Sequence, residues 1–133
     1  MKKKKVFSYE IFCEPLQGSE SYYTRAMFGG LAIYYNDLMV LMLAESPGDR
    51  EYRGHSYEFD LWNGILVPTD RPHHSHLKSN MPELINHPIL AKWLFLPANC
   101  NRFELCASEL IDWILKSDPK IGIVPGQSRR KKK

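Results

Sequence analysis

The spacing of apolar and polar positions divides the chain into a strand-rich first part and a more helical second part. Residues 22–28 are rich in aromatic side chains, and two apolar runs, 31–35 and 38–44, flank the turn-forming pair Asn36-Asp37. Short apolar runs on either side of two turn residues are typical of a β-hairpin. We therefore predict a hairpin over these runs, preceded by a further strand that ends at Gly29-Gly30.

A second hairpin is predicted further along. The alternation of Tyr57, Phe59 and Leu61 with acidic residues predicts a strand, and Asn63-Gly64 predicts a tight turn after it, with residues 65–67 as the return strand. The first part of the chain thus predicts an antiparallel sheet of about five strands in hairpins, with one face packed on the core.

The segment that precedes this sheet fits two structures, and both stay open. Pro15 and Gly18 end the element in either case. Its apolar side chains alternate as in a strand or follow a helical stripe: Phe7, Tyr9, Ile11 and Cys13 for the strand, and Tyr9, Phe12, Cys13 and Leu16 for the helix.

Helices are predicted in the second part. Pro72 suits the first turn of a short helix that reaches Asn80, and residues 92–96 predict a short strand stopped by Pro97. The clearest helix is predicted over residues 102–116.

This last helix has an apolar stripe and a predicted cap. Asn101 is predicted to cap it, with Glu104 three residues on, as in a capping box. The stripe, with Cys106 and Trp113 beside it, consists of Phe103, Ala107, Leu110 and Ile114. We expect this helix to lie on the sheet, which gives an α+β fold.

Composition and charge give the domain organisation. With 133 residues, 44% of them hydrophobic, the chain has the size and composition of one folded domain, predicted over residues 6–124. Two basic tails, residues 1–5 and 125–133, hold nine of the eighteen Lys and Arg residues. Residues 6–128 therefore carry nine basic against all fifteen acidic residues, a net charge of −6. Nucleic acid is thus a possible partner through the tails, not through a basic folded surface.

The cysteines and the hydropathy indicate the compartment. Cys13, Cys100 and Cys106 are an odd number without CxxC spacing, which predicts reduced core residues in a cytoplasmic protein. The longest apolar run, 38–44, is far shorter than the roughly 20 residues of a membrane span, so no membrane partner is expected.

Candidate metal ligands lie close together in the sequence. Asp70, His73, His74 and His76 fall within seven residues, and His73 and His76 share a helical face. Carboxylate and imidazole groups are suitable metal ligands, but the spacing is not HExxH or that of another known site. Asp70, His73 and His76 are therefore weak metal candidates, and a metal-dependent enzyme using this cluster is one alternative function.

The sequence contains no GxSxG nucleophile elbow, P-loop or GxGxxG pattern. We therefore assign no catalytic residue and no cofactor, and expect a protein that is not an enzyme.

Three arginines are weak candidates for contact with a partner. Arg50 and Arg53 lie in a polar loop over residues 46–56, where they could hold an acidic partner. Arg25 shares a predicted strand face with Tyr23 and Met27. Aromatic side chains beside positive charge are also what single-stranded nucleic acid requires.

One segment resembles a known family. Arg25-Ala26-Met27-Phe28-Gly29-Gly30, with Tyr34 four residues on and an apolar return strand, resembles the N-terminal domain of the TfoX/Sxy proteins. The likeness covers residues 20–45. The resemblance implies a mixed α+β fold similar to that of the type III secretion chaperones. It also implies a regulatory role without catalysis, of the kind these proteins play in natural competence, where they are thought to assist a transcription factor. The leading hypothesis is therefore a non-enzymatic regulatory or protein-interaction module that forms a homodimer and binds a protein partner.

Overall fold

The first three strands form a continuous antiparallel meander in the computed structural model, which describes residues 7–27 and 29–124. Strand β1 covers Tyr23–Met27, β2 covers Gly30–Tyr35 and β3 covers Leu38–Glu45. Asn36 and Asp37, between β2 and β3, have φ angles of 53° and 67°. A two-residue type I′ turn requires such positive values at both positions, so the first predicted hairpin is confirmed.

Five more strands follow. A separate two-stranded ribbon of β4 and β5 interrupts the polar loop, and three further strands join the main sheet in the order β1-β2-β3-β6-β8-β7, with every pair antiparallel. These strands are β4 (Glu51–Tyr52), β5 (His55–Ser56), β6 (Asn63–Val67), β7 (Ile85–Asn86) and β8 (Leu94–Pro97). The α+β class is confirmed, with six strands in the main sheet instead of about five.

The second predicted hairpin is wrong. Asn63 and Gly64 are the first two residues of β6, and Gly64 lies between Ala44 of β3 and Pro97 of β8. A Cβ atom at Gly64 would come within 2.3 Å of the Leu96 carbonyl oxygen, so the glycine serves a close approach of strands and not a turn. Residues 57–61, predicted as a strand, form a loop.

The segment before β1 is helical, which settles the alternative that the sequence left open. A 3₁₀ helix over Ser8–Cys13 continues into α1 (Glu14–Gln17). After the sheet has begun, a 3₁₀ turn over Arg71–His73 leads into α2 (His74–Asn80), as predicted from Pro72.

Helix α3 (Phe103–Leu115) confirms the predicted C-terminal helix, but its cap differs. Arg102 occupies the N-cap position, and no side chain caps the helix there, so the predicted role of Asn101 is wrong. The turn before the helix ends one residue later than the sequence suggested, because the Phe103 N–H donates to the Cys100 carbonyl and the Arg102 N–H approaches the Cys100 sulfur.

Alternation along the strands produces two apolar clusters, one on each face of the sheet. The first, named here the helix-side cluster, packs strand residues such as Ile33, Leu41 and Ile65 against the buried residues of all three α-helices. The second, the loop-side cluster, contains no helical residue from the described part of the chain. Its buried members are Ala32, Tyr34, Met39, Met42, Ala44, Leu66, Trp93 and Phe95.

The position of Gly30, close to the backbone of β3, accounts for the glycine pair after β1. A Cβ atom on Gly30 would lie 2.4 Å from the Leu43 carbonyl oxygen of β3, whereas Gly29 adopts a positive φ of 77° in the turn. A side chain at position 30 would therefore prevent this close approach of two backbones. The sheet's bulge lies elsewhere, at Val40, where the β2–β3 register shifts.

Two further observations bear on the sequence-based predictions. No helix in the described ranges is long and apolar enough to cross a membrane. The two basic tails and Phe28 of the TfoX-like segment lie outside the described residues.

Candidate interaction surface at the edge of the sheet

The predicted metal cluster does not assemble. Asp70 is exposed before the 3₁₀ turn, His73 lies in that turn, and His76 is exposed on α2. Within residues 7–27 and 29–124, no three His, Cys, Asp or Glu side chains are placed to hold a metal ion. His76 instead lies near Asp118, whose pKa is lowered, against the effect of burial, mainly by its hydrogen bonds to Lys120.

His74, the fourth member of that sequence cluster, has a structural role. Its Nε2 atom lies 2.7 Å from the Lys92 carbonyl oxygen, and its Nδ1 atom lies 3.0 Å from Nδ2 of Asn86. Asn86 also donates to the Ala91 carbonyl and accepts from the Lys78 ammonium group. These bonds tie α2 to β7, the short strand at one edge of the sheet.

Two of the three candidate arginines make contacts within the fold. Arg50 forms an ion pair with Asp60, with Nε 2.8 Å from Oδ1, and this bond holds the pKa of Asp60 below its ordinary value. Arg53 lies in the turn of the β4–β5 ribbon, with its guanidinium carbon 5.4 Å from the centre of the Tyr52 ring. Arg25, by contrast, is exposed on β1.

The cysteines include two buried thiols, as expected of core residues. Cys13 and Cys106 are 0% and 1% exposed. Burial is the main reason that the pKa of Cys13 rises to about 12 and that of Cys106 to about 11. Both thiols are therefore protonated near neutral pH, and neither supplies a thiolate nucleophile. Cys100 is partly exposed.

An apolar groove of about 230 Å³ lies where the β2–β3 hairpin meets the C-terminal end of α3. Tyr35, Leu38 and Val40 line one side, and Ile114 and Ile121 line the other.

Strand β1 is the open edge of the sheet. Among the described residues it pairs with β2 alone, and Tyr23, Arg25 and Ala26 are exposed. Tyr35 and Leu38 flank the two-residue turn of the β2–β3 hairpin, so they form a hydrogen-bonded pair, and alternation along β2 directs the backbone groups of Ala32 towards β1. Arg25 lies opposite Ala32, so its N–H and C=O groups point towards β2, and those of Thr24 and Ala26 point away from it.

Aromatic contacts fix the side chains of this edge. The Tyr23 ring, 45% exposed, stacks on the buried Tyr34 ring with centroids 4.5 Å apart and planes 4° apart. Tyr23, Arg25 and Met27 share the loop side of the sheet. On the opposite side, the Tyr22 hydroxyl donates to Glu10 at 2.9 Å, so the start of β1 is anchored to the N-terminal helical segment.

A buried histidine, which the sequence did not single out, holds the loop side together. His87 is 0% exposed, and its Nδ1 atom accepts the backbone N–H groups of Ile89 and Leu90 at 3.1 Å. Nε2 therefore carries the proton and donates to the Leu61 carbonyl at 2.7 Å. Burial lowers the pKa of His87, which keeps the ring neutral. In the sequence, its neighbours Asn86 and Pro88 carry no signal of burial, and the partner of its Nε2 atom, Leu61, lies 26 residues away.

Comparisons with protein-family models, curated proteins and solved structures find no match to this chain. The resemblance to the TfoX/Sxy N-terminal domain therefore stays a prediction from residues 20–45.

Proposed function

We propose that this chain is a cytoplasmic protein-interaction module with a regulatory role, without catalysis, and that it works as a homodimer. The observation that carries the proposal is the open edge of β1. Five residues of strand lie at this edge, with Tyr23, Arg25 and Ala26 exposed, and no described residue pairs with their outer side.

The chemistry of this edge supports binding of an extended segment. Unpaired N–H and C=O groups on an edge strand are a template for one more strand, which is a common mode of peptide and subunit recognition. The exposed aromatic ring of Tyr23 is held in place by its stack on Tyr34, so little side-chain freedom is lost when a partner covers it. The TfoX-like pattern spans this strand and the next and favours a regulator.

Sedimentation velocity of the full chain tests the proposal. We expect a dimer whose fraction increases with protein concentration over the micromolar range. A strict monomer at every concentration, together with no specific protein partner, would contradict it. A turnover assay that revealed an activity abolished by substitution of a single polar side chain would also remove the non-catalytic role.

The charge distribution favours nucleic-acid association as a second candidate. Nine of the eighteen basic residues lie in the two tails, whereas residues 6–128 have a net charge of −6. Deletion of residues 1–5 and 129–133 should abolish binding of a DNA or RNA oligonucleotide, because cations that neutralise phosphates dominate non-specific affinity. Binding that survives the deletion would rule out the tails as its cause.

A further inference from the structure

We propose that two copies of this chain join through their β1 strands, which pair antiparallel about a two-fold axis at Thr24. The pairing would convert two six-stranded sheets into one sheet of twelve strands. This inference rests on the proposed homodimer and names the surface and the register through which it forms.

The backbone of β1 restricts the registers that two copies can adopt. In an antiparallel pair, residues opposite each other either both direct their hydrogen-bonding groups at the partner or both direct them away. A symmetric pair therefore places one residue opposite its own counterpart. The two-fold axis can therefore pass through a hydrogen-bonded pair of Thr24 residues or of Ala26 residues. It can also pass through a pair of Arg25 residues, which are not directly hydrogen-bonded to each other.

Charge disfavours the register centred on Arg25. That register gives the longest overlap within Tyr23–Met27, but it places the two Arg25 side chains directly opposite, with Cα atoms about 4.5 Å apart. Like charges that face each other across strands destabilise the pair. Arg25 thus acts against one register of self-pairing.

The same arginine favours the register centred on Thr24. There, Tyr23 of each copy lies opposite Arg25 of the other, on the loop side of the sheet. A guanidinium group near an aromatic ring gains a cation–π attraction, and the two-fold axis supplies this contact twice. The register centred on Ala26 would place Arg25 opposite Met27 instead, which offers no such electrostatic gain.

The other edge of the sheet explains why the assembly stops at two copies. Strand β7 has two residues, and the Asn86 side chain is bonded to His74, Lys78 and the Ala91 carbonyl. A very short edge strand that is covered by a neighbouring helix resists pairing with a strand of another molecule. An interface of β1 with β1 uses the same surface on both copies, so it closes as a dimer.

Disulfide trapping tests the register. In a Cys100→Ser background, which removes the partly exposed native thiol, Thr24→Cys should give a covalent dimer on mild oxidation. A hydrogen-bonded antiparallel pair has Cα atoms about 5.5 Å apart, within the range of about 4.4–6.8 Å that disulfides span. Thr24→Cys leaves both Tyr23 and Arg25 in place.

Ala26→Cys in the same background is the matched control. With the axis at Thr24, the two Ala26 positions are about 14 Å apart, from a rise of about 3.4 Å per residue, so no disulfide should form. Trapping through Ala26→Cys but not Thr24→Cys would overturn the proposed register. A dimer in sedimentation that neither variant traps would overturn the register centred on Thr24 and leave the proposed function standing, whereas a monomer would contradict both.

A charge reversal gives a second test that needs no disulfide. Arg25→Glu should weaken dimerisation about tenfold or more, because two cation–π contacts are lost in each dimer. Arg71→Glu, an equal charge change at an exposed position outside the sheet, should leave the dissociation constant within about twofold of the unchanged protein. Equal effects from the two substitutions would indicate a general charge effect and contradict the specific contact.

Discussion

One face of the six-stranded sheet is covered by helices, whereas the other, in the described part of the chain, is covered by side chains from loops. On the helix side, α3 contributes six buried residues in a regular stripe. On the loop side, Phe59 and Trp62 come from the segment before β6, and Leu90 and Trp93 come from the segment before β8. A continuous helix therefore covers one face, and two irregular segments cover the other.

The two faces also differ in how polar groups are handled. The described members of the helix-side cluster are apolar or aromatic side chains and thiols, so this face gains its stability mainly from the burial of apolar area. The loop side buries an imidazole, and a buried polar group is costly unless it is hydrogen-bonded. The helix side thus has its polar contacts at a partly buried margin, such as the Tyr22 hydroxyl on Glu10, whereas the loop side has the three hydrogen bonds of a fully buried side chain, His87.

The largest effect is expected on the helix side. Leu110→Ala should lower the free energy of unfolding by about 2–5 kcal/mol, because Leu110 is fully buried and its loss leaves a cavity. Leu105→Ala, on the same helix but 62% exposed, should change it by less than about 0.5 kcal/mol. Urea denaturation followed by fluorescence measures both. Similar losses for the two variants would show that α3 does not cover the sheet as described.

A change in the sheet itself should disturb both faces. Gly30→Ala would force a Cβ atom to within 2.4 Å of the Leu43 carbonyl oxygen, so either β2 or β3 must shift. We expect a loss at the upper end of the about 1–3 kcal/mol that overpacking costs. Gly18→Ala is the control, since no atom lies within 4 Å of its added Cβ, and it should be nearly neutral. An unchanged denaturation midpoint for Gly30→Ala would refute the close approach.

The helix side and the first hairpin could be predicted because their signals are local. The stripe of α3 repeats at helical spacing, and Asn36-Asp37 adopts positive φ angles that few other residues tolerate. The turn predicted at Asn63-Gly64 was wrong because a glycine that favours a turn also fits a crowded strand. Which of the two structures forms depends on the neighbouring strands, where Ala44 and Pro97 lie on either side of Gly64. Such information lies tens of residues away in the chain.

The candidate site could be predicted in part. Arg25 was identified from its aromatic surroundings, but its position at an open edge depends on the order of the strands, which no local pattern encodes. His87 gave no signal, since its partner Leu61 lies 26 residues away. The histidine-rich segment from His73 to His76 attracted a metal prediction by spacing alone, whereas its side chains diverge to different neighbours.

The contribution of the His87 hydrogen bonds to the free energy of unfolding can be measured with a substitution that keeps an aromatic ring at this position. His87→Phe should cost about 1–2 kcal/mol, because the buried Leu61 carbonyl and the half-buried Ile89 and Leu90 N–H groups lose their partner. His55→Phe, at an exposed position in the β4–β5 ribbon, should change stability by less than about 0.5 kcal/mol. A stabilising effect of His87→Phe would mean that packing dominates on this face as well.

The smallest effect expected is a pH dependence that His87 contributes on the loop side. Burial holds the pKa of folded His87 below the value of about 6.5 found in unfolded chains. As the pH falls through about 6.5, the unfolded chain takes up a proton before the folded one does. The His87 contribution is therefore complete above about pH 6.5 and is lost as the pH falls towards the folded pKa.

Melting temperatures measured from about pH 7.5 down to about pH 5.5 test this sign. The unchanged protein and His55→Phe should both lose stability over that interval, and His87→Phe should lose less. Asp60 does not confuse the comparison, because the Arg50 hydrogen bond lowers its pKa and moves its own contribution to more acidic solution. If all three proteins followed the same slope, the acid sensitivity would have to come from groups other than His87, and the loop side would lose its distinction from the helix side.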